Sequence, residues 1–360
     1  MIYKPDWDQS KKRLEAWWHG EAVDRCAMAV WAPRDDRGRF TPPSFPARME
    51  DRWLDLDYLS ARNEYEMETT FYGGEAFPLW NAGYPGWDLM QSYLGAPVTL
   101  MEETAWIDPI LSAGRLTDYN FQDFTIQPQN RWWKFLNRVH HFAVEQSRGR
   151  SIPSLQDLGS SGDTLAAIRG NEQLLMDLLD CPEYVQQFDF FLMQVWNEQV
   201  FEPSYQITCE AAEGSASWDN LWAAGRHYPL QNDFSYMISP RMFRKVFLPT
   251  ISMQTEYLDY SVYHVDGVGA YAHVDALCDL PRLNALQIIP GAGKPSALHW
   301  LDMLKKIQAR GKSLQIYIPP EEVELALSEL SAGGLWLGVQ AENETQARRL
   351  IEMAEKLSHN

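Results

Sequence analysis

Tyr263-His264-Val265-Asp266-Gly267 alternates apolar and polar side chains and ends in glycine, the pattern of a β-strand that runs straight into a turn. In an extended chain, residues two apart share a face, so His264 and Asp266 point the same way. An imidazole and a carboxylate on one face can share a metal ion or a proton, which makes this pair the strongest local chemical signal in the chain. The plainer alternative is structural: Asp266 caps the turn at Gly267, and His264 is a hydrogen-bonded core residue.

Outward from that stretch, from about residue 150 onward, short apolar runs alternate with segments of helical spacing, which predicts parallel strands joined by crossover helices. Eight strands are predicted, over 26–31, 77–80, 152–155, 207–210, 261–265, 285–288, 314–317 and 335–339. Eight is what a closed (β/α)8 barrel requires, and 360 residues suit one such domain, here 1–360. Ser239-Pro240 predicts a cap and a first-turn proline ahead of a helix over 241–260. Asn343-Glu344 opens the last helix, whose Ala347, Leu350, Ile351, Ala354 and Leu357 follow a 3–4 spacing, and Cys181-Pro182-Glu183 ends one helix and starts another running to about 202. Residues 1–25 are read as an N-terminal helix leading into the barrel. Pro and Gly clusters in 41–46, 77–86 and 95–97 predict long loops, and the polar segment 210–234 reads as a long loop over the site.

Composition narrows the partners. The chain carries 49 acidic and 31 basic residues, a formal charge of −18, with no basic block, so nucleic acid and anionic membranes are not expected ligands. Neither a signal-peptide pattern nor a long apolar run is present, and a cytoplasmic location is expected. The four cysteines, Cys26, Cys181, Cys209 and Cys278, form no CxxC pair, and most of them read as small buried residues. Much of the load of 15 Trp and 16 Tyr is expected in the core, and some of it is expected to line a pocket for a sugar-like or flat ligand.

Barrel enzymes place chemistry at the C-terminal ends of strands, where this sequence offers Asp157, Glu210, His264 with Asp266, Gln287, Tyr317, Gln340 and Glu342. Asp233, in Gln231-Asn232-Asp233-Phe234-Ser235, precedes the Ser239 helix start and either points into the same mouth or serves as a turn residue. The catalytic candidates are therefore Asp266, Asp233 and Glu210. Trp80, Trp218, Trp222, Gln287 and Tyr317 are the candidate substrate contacts. His140-His141 diverge around a predicted helix and suit a surface with one buried imidazole, while His273 and Asp275 read as structural. Gly291-Ala292-Gly293 fits a tight strand-to-helix turn, with anion binding as the alternative. Nucleotide-binding and serine-hydrolase motifs are lacking.

Two longer stretches carry a family likeness. Residues 157–183, with Gly162-Asp163, Ile168-Arg169-Gly170-Asn171-Glu172 and Leu178-Leu179-Asp180-Cys181-Pro182-Glu183, resemble the helix pair after a barrel strand in uroporphyrinogen decarboxylase-like proteins. Ile238-Ser239-Pro240-Arg241-Met242-Phe243 through Phe247-Leu248-Pro249 resembles that superfamily's Ser-Pro-x-x-Phe helix opening. The likeness covers most of 150–357 and, more weakly, Trp17 to Asp24-Arg25. It is nearest to a bacterial subgroup with His-x-Asp-Gly and Pro-Gly-Ala-Gly, sometimes described as trimethylamine-corrinoid-related.

The resemblance implies a (β/α)8 TIM-type barrel of the uroporphyrinogen decarboxylase kind with N-terminal helical and loop elaborations. It also implies methyltransferase-like chemistry on a small-molecule substrate, a divalent metal, zinc foremost, and a corrinoid methyl donor on a partner protein. Two departures qualify it. The superfamily's methyltransferases hold zinc with His-x-Cys and a later Cys; here Asp266 replaces the first cysteine, and Gln340-Ala341-Glu342 stands near the later position, so the metal set reads His264, Asp266 and Glu342. Carboxylates make such a site harder and less thiophilic. In Pro33-Arg34-Asp35-Asp36-Arg37-Gly38-Arg39 acids offset the arginines, so porphyrin decarboxylation is not expected. A carbohydrate-active enzyme using Asp266, Asp233 or Glu210, and a non-catalytic ligand-binding barrel, remain the alternatives.

Overall fold

The apolar runs do become strands. In the computed structural model, which describes residues 1–36, 40–83 and 89–358, the first strands are β1 (Ala27–Pro33), β2 (Thr70–Gly74) and β3 (Leu79–Trp80), followed by β4 (Val98–Leu100), β5 (Ala105–Ile107) and β6 (Ile152–Pro153). The second half supplies β7 (Ser215–Ala216), β8 (Trp222–Ala223), β9 (His227–Gln231), β10 (Tyr260–Asp266), β11 (Ala285–Ile289), β12 (Ser313–Tyr317) and β13 (Leu335–Gln340). Arg37-Gly38-Arg39 and part of the 77–86 cluster lie outside the described residues.

The result is a mixed α/β fold around a mostly parallel sheet. Its seven-stranded part runs β2-β1-β13-β12-β11-β10-β9, all parallel except β2, which pairs antiparallel with β1. β3 and β6 form a separate parallel pair, and the Leu155 N–H reaches the Ala216 carbonyl at 2.8 Å, linking that pair to β7. From β9 to β13 each parallel connection carries at least one helix, the usual form of such a crossover.

Strand alternation divides the core in two. Tyr263, Val265, Leu286, Ile288, Leu314, Ile316 and Leu337 face the helix layer. Val262, Ala285, Ala27, Ala29, Ile152, Ala216 and Trp336 face the other way and gather with Trp7, Leu14, Trp17 and Trp18 of the helix Trp7–Trp18. That helix plugs the end where the parallel strands begin. Trp17 Nε1 donates to the Leu314 carbonyl at 3.1 Å and Trp18 Nε1 to that of Trp222 at 2.9 Å. Trp17 and Trp18 thus bury large areas while their one donor stays satisfied.

Helix ends follow the capping residues. Ser239 Oγ accepts from the Met242 N–H at 3.2 Å at the start of Pro240–Val246, and Asn343 Oδ1 accepts from Gln346 at 2.9 Å ahead of Glu344–Leu357. The predicted 241–260 helix is instead two helices, Pro240–Val246 and Leu248–Tyr257, because Pro249 suits a first turn and cannot donate within a continuous helix. The helix from Pro182 does not stop at 202. A π-helical turn, Trp196–Phe201, absorbs the missing N–H of Pro203, and the chain continues helically to Ala212.

That continuation corrects one expectation. Residues 207–210 are not a strand; they lie in the helix Glu202–Ala212, where Thr208 Oγ1 bonds back to the Ser204 carbonyl at 3.1 Å and the β-branched run Ile207-Thr208 simply extends a helix already formed. The segment 210–234 is consequently not one loop. It holds the end of this helix, the antiparallel pair β7 and β8, and β9. β9 takes the sheet position foreseen for 207–210, with Pro229 tolerated because β9 is the edge of the ladder. No helix among the described residues is long and apolar enough to cross a membrane.

Candidate metal centre and pocket

Along β10 one face runs Val262, His264, Asp266, from the plugged end of the sheet to its open end. Asp233 joins them from the short 3-10 turn Asp233–Met237 that follows β9. One ligand atom from each of Asp233, His264 and Asp266 lies within 4.8 Å of the others.

The turn that carries Asp233 is fastened from below. The Asp163 carboxylate accepts the backbone N–H groups of Asp233 at 3.0 Å and Phe234 at 2.8 Å, and Asn232 Oδ1 accepts from Ser235 at 3.0 Å. Asp163 is set in turn by Gly162, whose φ of +73° suits glycine and whose N–H donates to the buried Asp189 at 2.7 Å. A Cβ at Gly162 would stand 2.2 Å from Asn232 Nδ2, so the two turns fit only with glycine there.

Negative charge crowds this end of the sheet. Burial pushes the Asp157 carboxyl up to about 6, against hydrogen bonds from the Gly159 N–H at 3.1 Å and the Tyr228 hydroxyl at 3.2 Å. Burial and then the charge of Asp233 hold Asp163 well above the usual carboxylate range. Asp233 itself stays accessible at the rim, yet the protein packed round it removes enough water to raise its pKa; His264 opposes that rise and Asp266 adds to it. A bound cation would relieve this repulsion.

A cavity of about 790 Å³ adjoins the centre, lined by Trp31, Trp53, Tyr72, Asp157, Trp218 and Gln340. Trp218 belongs to both: it walls the cavity and meets the His264 ring edge-on, centroids 5.2 Å apart. Arg62, on the helix Leu56–Thr69, also reaches the cavity and donates to the Asn81 carbonyl at 2.9 Å.

The remaining candidates fall in different places. Gln287 contacts His264 Nδ1 through its Oε1. Tyr317 stands behind the cavity wall, stacked on Trp31 and donating to the Asp219 carbonyl at 3.2 Å. Trp80 is buried against Phe142 of the helix Arg131–Ser147, on the helix side of β3. Trp222 is buried in the plug, edge-on to Trp7, with Nε1 donating to the Ala212 carbonyl at 2.8 Å. Glu210 is exposed on the helix that leads into β7, hence at the strands' starting end. Glu342 is exposed beyond β13, where its N–H donates to Gln346, and it is not part of the donor group.

His140 is buried with neither ring nitrogen bonded, while His141 is exposed. His273 stacks on Phe243 and meets the Ser235 carbonyl at 2.9 Å, and Asp275 pairs with Lys306. Gly291 and Gly293, at φ +94° and +72°, form a tight turn. The four cysteines are free.

Gln315, Asp219 and Arg62 join the site only through the fold. For Gln315 a signal existed: Leu314-Gln315-Ile316 repeats the pattern of Leu286-Gln287-Ile288, a lone amide inside an apolar strand. Asp219 and Arg62 had none, since a loop aspartate and a helix arginine are ordinary surface residues.

No protein-family model matches the chain, and no curated protein matches it in sequence. In fold it is similar to a solved structure, a methyltransferase from Methanosarcina mazei, with a TM-score of 0.61 and 10% identity over 96% of this chain and 98% of that one. At that identity the likeness concerns the fold alone.

Proposed function

We propose that the chain is a metal-dependent, methyltransferase-like enzyme of the uroporphyrinogen decarboxylase and corrinoid methyltransferase kind, a (β/α)8 barrel acting on a small molecule. The observation that carries the reading is the meeting of Asp233, His264 and Asp266 within 4.8 Å beside an aromatic-walled cavity. Residues from β1, β6, β7, β10, β11 and β13 gathering in one plug support a sheet curved toward closure. The full-length likeness to a protein described as a methyltransferase supports the fold on which this reading rests. A cavity of about 790 Å³ is of small-ligand size.

The three donors suit a divalent ion: one nitrogen and two carboxylates fit zinc and, being harder than a thiolate set, also manganese. When bound, that ion supplies Lewis acidity to a substrate oxygen or nitrogen. The chain's own groups do the rest. Asp233 and Asp266 would hold the ion and offset its charge, Trp218 excludes water from one side of His264, and Asp157, with a pKa of about 6, gives or takes a proton at the cavity wall. The methyl donor in this reading is a corrinoid on a partner protein. The carbohydrate-processing alternative is weakened because Trp80 and Trp222, two of its three stacking residues, lie away from the cavity.

Metal analysis and calorimetry test the proposal. Protein purified without chelator is expected to carry, or to bind, about one zinc or manganese ion per chain, and Asp233→Asn or His264→Ala to lower affinity by roughly 100-fold or more. Glu342→Ala is expected to change it less than about 2-fold, being outside the donor group. No metal binding by the wild-type protein would overturn the reading.

A further inference from the structure

A row of side chains crossing three adjacent parallel strands is polar where such a layer is ordinarily apolar. His264 on β10, Gln287 on β11 and Gln315 on β12 are successive partners in register. Gln287 is 2% exposed and Gln315 0%, so each amide depends on partners inside the protein. The partners form one chain: His264 Nδ1 meets Gln287 Oε1, Gln287 Nε2 donates to Gln315 Oε1 at 2.8 Å, and Gln315 Nε2 donates to the Asp219 carbonyl at 2.7 Å.

That chain has a direction, and its far end fixes it. A backbone carbonyl only accepts, so Gln315 must turn its NH2 group toward Asp219 and its oxygen toward Gln287. Gln287 must then donate to that oxygen and turn its own oxygen to His264. An acceptor at that position calls for a hydrogen on Nδ1. Reversing either amide would set like groups against each other in a buried site.

Asp219 is itself held firmly. Its Oδ2 lies 2.9 Å from His227 Nε2, its Oδ1 accepts from the Leu221 N–H at 3.3 Å, and its carbonyl also accepts from the Tyr317 hydroxyl. Next to it Asn220, at φ +62°, donates to that hydroxyl at 3.2 Å.

We propose that Asp219, Gln315 and Gln287 form a positioning relay that holds His264 as the Nδ1–H tautomer and presents its Nε2 lone pair to the site shared with Asp233 and Asp266. The purpose of the relay rests on the metal reading above; its geometry does not. Ligating histidines generally need a partner on their second nitrogen to fix ring and tautomer. Here that partner is an amide relay anchored on the loop that also carries Trp218 and Asn220 of the cavity wall.

Two readouts on the full-length, metal-free protein decide it. With 15N-labelled histidine in mildly alkaline buffer, and His264 identified through a His264→Gln variant, long-range 1H–15N spectra are expected to show Nδ1 protonated and Nε2 bare. Gln287→Glu loses the bond to Gln315 but keeps an acceptor toward His264, and is expected to keep Nδ1 protonated. Gln287→Leu removes the acceptor and is expected to populate Nε2–H and to weaken zinc binding about 10- to 100-fold. A wild-type spectrum with Nε2–H, or a leucine variant unchanged in tautomer, overturns the relay. Should zinc fail to bind while Nδ1–H is seen, the metal reading falls and the relay stands. Zinc binding to a protein with Nε2–H has the opposite meaning.

Discussion

Two imidazole and carboxylate groupings occupy opposite fates in this molecule. His227 and Asp219 are 2.9 Å apart, both 0% exposed, with the imidazole under Trp18 at 4.8 Å and Nδ1 toward the Tyr260 carbonyl at 3.4 Å. Every valence there is spent inside the protein. His264 has one ring nitrogen committed to Gln287, while Asp233 and Asp266 stand near it at the open end of the sheet. The chemistry of the residues is the same, and the difference is which end of the sheet they occupy: the start is sealed by Trp7, Trp17, Trp18, Trp222 and Trp336, and the finish opens on a cavity. A histidine beside an aspartate becomes a site only where a coordinating atom is left unclaimed.

The sharpest way to break the comparison is to remove the sealed carboxylate. Asp219→Ala leaves His227 Nε2 buried without its partner and is expected to cost about 1–3 kcal/mol in denaturant unfolding. Asp266→Asn, at the open end, is expected to stay within about 1 kcal/mol of wild type in the same assay. Equal losses would mean that the two groupings are both structural.

A third histidine sharpens the point. His140 is fully buried, has no partner, and burial followed by the nearby His141 pushes its pKa from 6.5 to about 3. Its folded pKa lies below the unfolded one, so stability is fully present above about pH 6.5 and falls as the unfolded chain takes up a proton below it. Between about pH 7.5 and about pH 5 this amounts to about 2 kcal/mol, which His140→Leu is expected to abolish in urea titrations at the two pH values. An undiminished pH slope in that variant would place the acid sensitivity elsewhere.

How far these distinctions could be read from the sequence depended on the element. β10 to β13 were legible because each is an apolar run that follows a helix, and Ser239 and Asn343 announced their helices as caps. β9 was hidden by Pro229 and by its polar ends, and the β-branched run at 207–210 took its place. β2, Thr-Phe-Tyr-Gly-Gly, was hidden by its glycines. The site suffered from the same error. Asp233 is visible in the sequence as an aspartate before a helix, but that it faces Asp266, where the resemblance implies Glu342, follows only once β9 is known to pair with β10. Likewise Trp222 and Trp80 were credible wall residues until the strands carrying them were oriented, since one faces the plug and the other the helices. Periodicity reports which residues are apolar; which end of the sheet they reach depends on register, and register is a long-range property.

The centre itself is the claim on which the rest depends, and zinc-edge X-ray absorption on the zinc-loaded protein reads it directly. The account predicts a first shell of nitrogen and oxygen only, at about 2.0–2.2 Å, with the outer-shell scattering of a single imidazole from His264. A sulfur shell at about 2.3 Å, or a spectrum unchanged in Asp233→Asn and His264→Ala, would contradict it.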